Sequence, residues 1–189
     1  VKKLIWLFIA GFFIYMSIEV IFGASMGAMI GYQGRTYLSL SGYTSVWMGV
    51  IGGFLLIVLG FLNTISFIKN RSLFIQSLLG AIIITLIEFV SGCILNLWFG
   101  LHIWSYEGVP LNILGQIDLI FFVFWFFLAP LAFWADDLLR WVFYKTGICS
   151  EANSAYNLLW FYKQLFTFKK IDYPVEYLLK IFGRRELSL

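Results

Sequence analysis

The sequence predicts an all-α, polytopic membrane protein in which four transmembrane helices form two parallel hairpin repeats, followed by interfacial C-terminal helices. Three observations carry this expectation. The first is composition: 61% of the 189 residues are hydrophobic, 12% are charged, and mean hydropathy is +0.90. A soluble domain carries about a quarter charged residues. The second is the gathering of that hydropathy into four stretches, about 4 to 24, 43 to 64, 73 to 97 and 112 to 135. Each is long enough for a hydrocarbon core of about 30 Å, which takes roughly 20 helical residues. The third is self-similarity. Gly11, Glu19, Gly23 and Gly31 recur at a constant offset of 69 residues as Gly80, Glu88, Gly92 and Gly100, with Leu4 matching Leu73 and Ile18 matching Ile87. An offset kept along a whole helix points to a duplicated hairpin whose copies are related by an axis along the membrane normal. The expected organisation is a four-span membrane domain over 1–138, with halves of about 1–69 and 70–138, and a membrane-surface tail over 139–189.

The first span carries Glu19, which costs roughly 2.5 to 3.5 kcal/mol near a helix centre. Twelve Leu, Ile, Phe and Val residues between Leu4 and Phe22 offset it, at about 0.3 to 0.6 kcal/mol each. The run exceeds the apolar region of a signal peptide, about 7 to 15 residues, and its glycine and glutamate spacing is reused in the third span, so a retained helix is expected. The second span has no charged residue and carries Gly49, Gly52, Gly53 and Gly60. Gly49 and Gly53 form a small-xxx-small pair suited to close helix packing. The third span repeats the first, with Arg71 ahead of it and Glu88 inside it. The fourth presents Phe121, Phe122, Phe124, Trp125, Phe126 and Phe127 as an aromatic wall, mostly towards lipid or neighbouring helices, with Pro130 able to kink its cytoplasmic end. Trp6, Trp47, Trp98, Trp104, Trp134 and Trp141 fall near span ends, where indoles favour the interface.

After Asp136 and Asp137 the chain mixes Arg140, Lys145 and Glu151 among apolar residues, too charged for a fifth span. An amphipathic stretch around Trp160, Phe161 and Tyr162 and a helix begun by Pro174, with Val175, Leu178, Leu179 and Phe182 on one face, are expected to lie on the membrane. Lys2, Lys3, Lys69, Arg71, Arg140 and Lys145 flank one side and Arg35 alone the other. Both termini are therefore expected in the cytoplasm, with the protein in the inner membrane. The net charge of +3 comes from this flanking bias and the tail. It suits anionic lipid rather than nucleic acid. Cys93 and Cys149 fall on opposite sides and are not expected to pair.

Chemistry is expected at the carboxylates. Glu19 and Glu88 each lie fifteen residues into their helices, about 22 Å from the cytoplasmic edge and so in the outer leaflet's half. Asp118, six residues past Asn112, would sit about 9 Å into the fourth span from the other side, near the same plane. Gln116, Asn96 and His102 add hydrogen-bonding groups there. Such a cluster could bind a proton or a cation, or act as acid and base; equally, each glutamate could serve only to bond helices together. His102 is the sole histidine, which favours an interfacial role over a metal site. No phosphate loop, G-x-S-x-G elbow or H-E-x-x-H pair is present, and no motif requires a cofactor.

The run Glu88-Phe89-Val90-Ser91-Gly92, followed by Trp104-Ser105-Tyr106, Asn112-Ile113 and Gly115-Gln116, resembles the bacterial family of putative type IV ABC-transporter permeases called CmpB-like. That family carries an external W-D-Y-S motif and then an asparagine and a glycine at the entry to the last span. Trp104, Tyr106, Asn112 and Gly115 fit, whereas Ser105 and Glu107 depart and remove the motif's aspartate. Thr44-Ser45-Val46-Trp47 is similar to the start of the second span in the vertebrate four-pass family called transmembrane protein 229. The resemblance covers roughly residues 11 to 135 and leaves the tail outside. It implies a permease-like transport component working with a separate ATPase subunit or as a homo-oligomer among membrane lipids. On this expectation Glu19, Glu88 and Asp118 bind a proton or cation, Trp104 and Tyr106 shape the outer mouth, and Asn96, Asn112 and Gln116 complete the site. A membrane-embedded enzyme acting on a lipid or isoprenoid, with the glutamates as acid and base, and a packing or regulatory subunit are the alternatives.

Overall fold

The computed structural model describes residues 2–29, 41–144 and 154–171, and every regular element among them is helical. In chain order these are α1 (Lys2–Met29), α2 (Val46–Thr64), the single turn α3 (Ser66–Lys69), α4 (Leu73–Gly92), a wide π-helical continuation over Cys93–Trp98, α5 (Leu119–Tyr144) and α6 (Ser154–Gln164). Three are long and apolar enough to cross a bilayer: Lys2–Met26, Leu73–Trp98 and Leu119–Arg140. The apolar part of α2, Val46–Leu62, is shorter. Its 17 residues rise about 26 Å, near the lower limit for a span. The chain is thus a multi-pass membrane protein built from helices, as its composition requires.

The residues form two compact units, one of 1–57 with 90–104 and the other of 58–89 with 105–189. In the first, glycines bring α1 and α2 to backbone contact. A methyl group built on Gly11 would lie 2.8 Å from Cβ of Leu56 and 2.9 Å from the carbonyl oxygen of Gly52. Phe8 covers Gly53, Phe12 covers Gly49 and Tyr15 lies on Gly52, so bulky residues of α1 fill the flat face that the α2 glycines leave. The spacing of Gly49 and Gly53 has its packing explanation here.

In the second unit α4 buries Leu73, Ser77, Ala81, Ile84 and Glu88 along one stripe, at the three- and four-residue steps of a helix face. Gly80 on this stripe admits Ala129, whose Cβ lies 2.8 Å from where a Gly80 Cβ would stand. The buried stripe of α5 is Trp125, Ala129, Phe133 and Asp136, with buried Asp118 just ahead of the helix. The last span therefore buries acids as well as aromatics.

Two boundaries differ from the sequence expectation. The fourth span begins at Leu119 rather than 112, because residues 111–115 turn through positive φ at Leu111, Leu114 and Gly115. Asp118 is thus the residue before the helix, and the depth obtained by counting helical rise from Asn112 does not apply. At the other end α5 does not stop at 135 but runs through Asp136 and Asp137 to Tyr144. Its charges are accommodated within the helix, since Arg140 Nε donates to Asp136 Oδ2 at 2.7 Å one turn away. Gly60 lies against the Asp136 carboxylate, where any side chain would collide. Pro130 accordingly sits in the middle of α5, not at its end. The helix expected after Pro174, and Gly31, Arg35, Lys145, Cys149 and Glu151, lie outside the described residues.

Candidate functional site

Glu88 is 5% exposed, on the packed stripe of α4. Both its oxygens are engaged. The hydroxyl of Tyr106 donates to Oε1 at 2.8 Å, and the indole Nε1–H of Trp125 donates to Oε2 at 2.8 Å. Each donor comes from a different part of the chain, Tyr106 from the connection before α5 and Trp125 from α5 itself. A carboxylate in a span must find partners in protein, because lipid offers none. Two neutral donors thus serve the carboxyl group, one at each oxygen.

The connection that delivers Tyr106 is held by its own side chains. Tyr106 N–H donates to the Gly115 carbonyl at 2.8 Å, which closes a loop across residues 106–115. Asn112 braces its tip: Oδ1 accepts from Gly115 N–H at 2.9 Å and Nδ2 donates to the Val109 carbonyl at 2.7 Å. Gly115 has φ +65°, and a side chain there would press on Glu107 Cγ, 2.9 Å from the Cβ position. The Tyr106 ring lies 4.8 Å from that of Phe121 between centroids, which aims its hydroxyl at α4. Gln116 is buried and donates to the Leu114 carbonyl at 3.1 Å. Asp118 then caps α5, with Oδ1 accepting from the N–H groups of Ile120 at 2.7 Å and Phe121 at 3.1 Å. Its other oxygen, Oδ2, is buried and has no hydrogen-bond partner among the described residues.

In the other unit, Asn96 lies in the π-helical segment, where Phe99 N–H reaches back to the Ile94 carbonyl and Leu101 N–H to that of Leu95. The wide turn ends the helix and presents the Asn96 amide to the strand of chain beyond it. Its Oδ1 accepts from Ile103 N–H at 2.7 Å, and its Nδ2 donates to the Trp104 carbonyl at 3.0 Å. Asn96 thereby anchors Trp104, while His102 is exposed at φ 49°. Glu19 is half-buried on α1, bonded to the Tyr15 hydroxyl one turn away.

Of the residues expected at the site, the structure brings Glu88 and Tyr106 together and places Asn112, Gln116 and Asp118 on the loop that positions Tyr106. Trp125, a member of the aromatic wall expected on the last span, faces the neighbouring helix: it is 4% exposed and bonded to Glu88. Its spacing holds the missed signal: it lies seven residues after Asp118 and four before Ala129, on the polar and small face of α5. Among the described residues no group of three or more His, Cys, Asp or Glu is placed to hold a metal ion.

The model of one protein family, described as "Putative ABC-transporter type IV", matches residues 25–168. The match takes in Glu88, Asn96, Trp104, Tyr106, Asn112, Gln116, Asp118 and Trp125 and leaves Glu19 outside. It also runs through α6, so the tail as far as residue 168 falls inside the match, whereas the motifs alone leave the whole tail outside. No curated protein and no solved structure matches the chain; the likeness of Thr44–Trp47 to the vertebrate four-pass family rests on those residues only.

Proposed function

This chain belongs to the family described as putative type IV ABC transporters, and from that membership we propose that it is a permease-like transport component whose proton- or cation-binding group is Glu88. The observation that supports this reading most is the burial of Glu88 between two neutral donors, Tyr106 and Trp125. The unpartnered Oδ2 of Asp118 adds an acceptor that a proton, a water molecule or a cation would satisfy. Glu19, paired with Tyr15, is a second carboxylate of the same kind. Asn96, Asn112 and Gln116 hold the chain segments that present Trp104 and Tyr106. Transport is driven through a separate ATPase subunit or through the proton or cation gradient, in keeping with a sequence that has no phosphate loop.

The test is uptake by the full chain reconstituted in liposomes under an imposed proton or cation gradient. The double variant Glu19→Gln with Glu88→Gln is expected to insert normally and to lose gradient-dependent uptake. Uptake equal to that of the natural protein would defeat the assignment of the carboxylates.

The orientation proposed for the inner membrane follows from the basic residues at one end of the spans, Lys2, Lys3, Arg71 and Arg140. A cysteine introduced at Lys69 is expected to resist membrane-impermeant thiol reagents added outside intact cells, and one introduced at Glu107 to react. Labelling of the first from outside would reverse the topology.

A further inference from the structure

A cation at the edge of a membrane span attracts anionic headgroups, and most strongly when no carboxylate of the protein neutralises it. The fold brings three such cations together from distant positions in the chain. Arg71 stands just ahead of the span Leu73–Trp98. Lys170 meets Ser72 there in an antiparallel backbone bridge, and Lys169 is its neighbour. All three side chains are exposed. Among the described residues Arg140 pairs with Asp136, and none of Arg71, Lys169 and Lys170 has a carboxylate partner.

This meeting is built by the turn after α6. Phe161 and Leu165 are buried and seat α6, and the Tyr162 hydroxyl donates to the Phe127 carbonyl of α5 at 2.9 Å. Thr167 Oγ1 then donates to the Gln164 carbonyl at 2.9 Å and accepts from Lys169 N–H at 3.4 Å. Between them Phe168 takes φ 55°, a left-handed conformation that a bulky residue seldom adopts. The turn leads Lys169 and Lys170 to the start of α4, where the Phe168 ring lies 4.9 Å from that of Phe74 and Ile171 is buried. Arg71 is fixed from its own side. Gln76 Nε2 donates to its carbonyl at 2.9 Å, and its guanidinium lies over the Phe67 ring, 4.5 Å from the centroid.

Beside the same turn runs an apolar groove of about 370 Å³, lined by Leu159, Trp160, Tyr162, Lys163 and Phe166. Phe166, three residues before Lys169, is 70% exposed. Cations at the end of a span with an apolar groove next to them match the two halves of a phospholipid. A free phosphate would use the cations and leave the groove empty.

We propose that Arg71, Lys169 and Lys170 hold the headgroup of an anionic phospholipid whose acyl chain lies in the groove along α6. Bound there, the lipid joins the tail to the start of α4. The site is independent of the reading of Glu88 as a transport group.

The experiment is native mass spectrometry of the full chain in detergent, titrated with phosphatidylglycerol or phosphatidylcholine, reading the dissociation constant of the first lipid bound. The natural chain is expected to bind phosphatidylglycerol at least about tenfold more tightly. A cation near the surface is worth roughly fivefold in binding, so Lys169→Gln with Lys170→Gln is expected to weaken phosphatidylglycerol at least about tenfold and phosphatidylcholine less than about twofold. Lys2→Gln with Lys3→Gln removes the same charge at the edge of another span and is expected to change phosphatidylglycerol binding less than about twofold. Equal loss in the two double variants would overturn the site, since binding would then follow net charge alone, and so would no preference between the two lipids. Phe166→Ala is expected to weaken both lipids severalfold through the groove; no change would overturn the seat for the acyl chain. Millimolar glycerol phosphate is expected not to displace the lipid, and displacement would overturn the lipid assignment in favour of a free phosphate. Denaturation midpoints of the lysine variants in phosphatidylcholine are expected to equal that of the natural chain, because the substituted side chains are exposed. A lowered midpoint would make these lysines part of the packing and overturn their role at a headgroup.

Discussion

Replacing Glu88 by leucine is expected to cost about 1 to 3 kcal/mol of stability, and replacing it by glutamine less than about 1 kcal/mol. The difference follows from the two donors. Leucine removes the acceptor that the Tyr106 hydroxyl and the Trp125 indole N–H each reach at 2.8 Å in the natural chain. Bonds between membrane helices are worth about 0.6 kcal/mol on average and up to about 1.7. Two lost together give the range stated. Glutamine offers one carbonyl oxygen and one amide nitrogen. The indole can only donate, so the oxygen must turn to Trp125. The Tyr106 hydroxyl can then rotate to accept from the amide. Thermal denaturation of the purified variants in detergent measures both. Equal loss for leucine and glutamine would mean that the hydrogen bonds do not hold this unit together.

A methyl group at Gly52 is expected to destabilise the α1–α2 contact by about 2 to 4 kcal/mol, and one at Gly49 by less than half as much. Both glycines face aromatic residues of α1, but they face different parts of them. The added carbon at Gly52 would overlap the root of the Tyr15 side chain, at its Cβ and Cγ, and would lie 3.1 Å from the Gly11 carbonyl oxygen. Those atoms cannot move unless the helices part. At Gly49 the obstacle is the outer edge of the Phe12 ring, 2.6 Å away, which a change of rotamer can withdraw. Gly52→Ala and Gly49→Ala, compared by denaturation midpoint, test the ranking. A larger loss at Gly49 would place the close approach of α1 and α2 elsewhere.

The glutamine and alanine variants bear on different levels of the molecule, and the sequence spoke to these levels unequally. Spans are legible because lipid imposes a threshold on every stretch of chain: the apolar runs at 4–24, 73–97 and the body of the last span became helices. The glycines of the second span announced close packing in the same direct way, since a residue without a side chain has few other uses in a span. The carboxylates were also visible, because their cost makes them conspicuous.

The start of α5 was not legible. Hydropathy over Leu111, Ile113, Leu114 and Ile117 reads as membrane, whereas the helix is delayed by positive φ at three residues and by the Asp118 cap. Local turn chemistry overrode composition. The choice of partner was equally hidden. Nothing in a run of seven residues containing five Phe and a Trp says which ring faces inward. Only the packing of α4 on α5, set by Gly80 against Ala129, put Trp125 rather than its neighbours beside Glu88. The sequence by itself determined that this is a helical membrane protein with costly acids in its spans, because transfer from water to lipid acts on each residue separately and adds along the chain. Which groups meet those acids was decided by tertiary structure, because a hydrogen bond needs two atoms within about 3 Å, and residues far apart in the chain reach that distance only after the helices have packed.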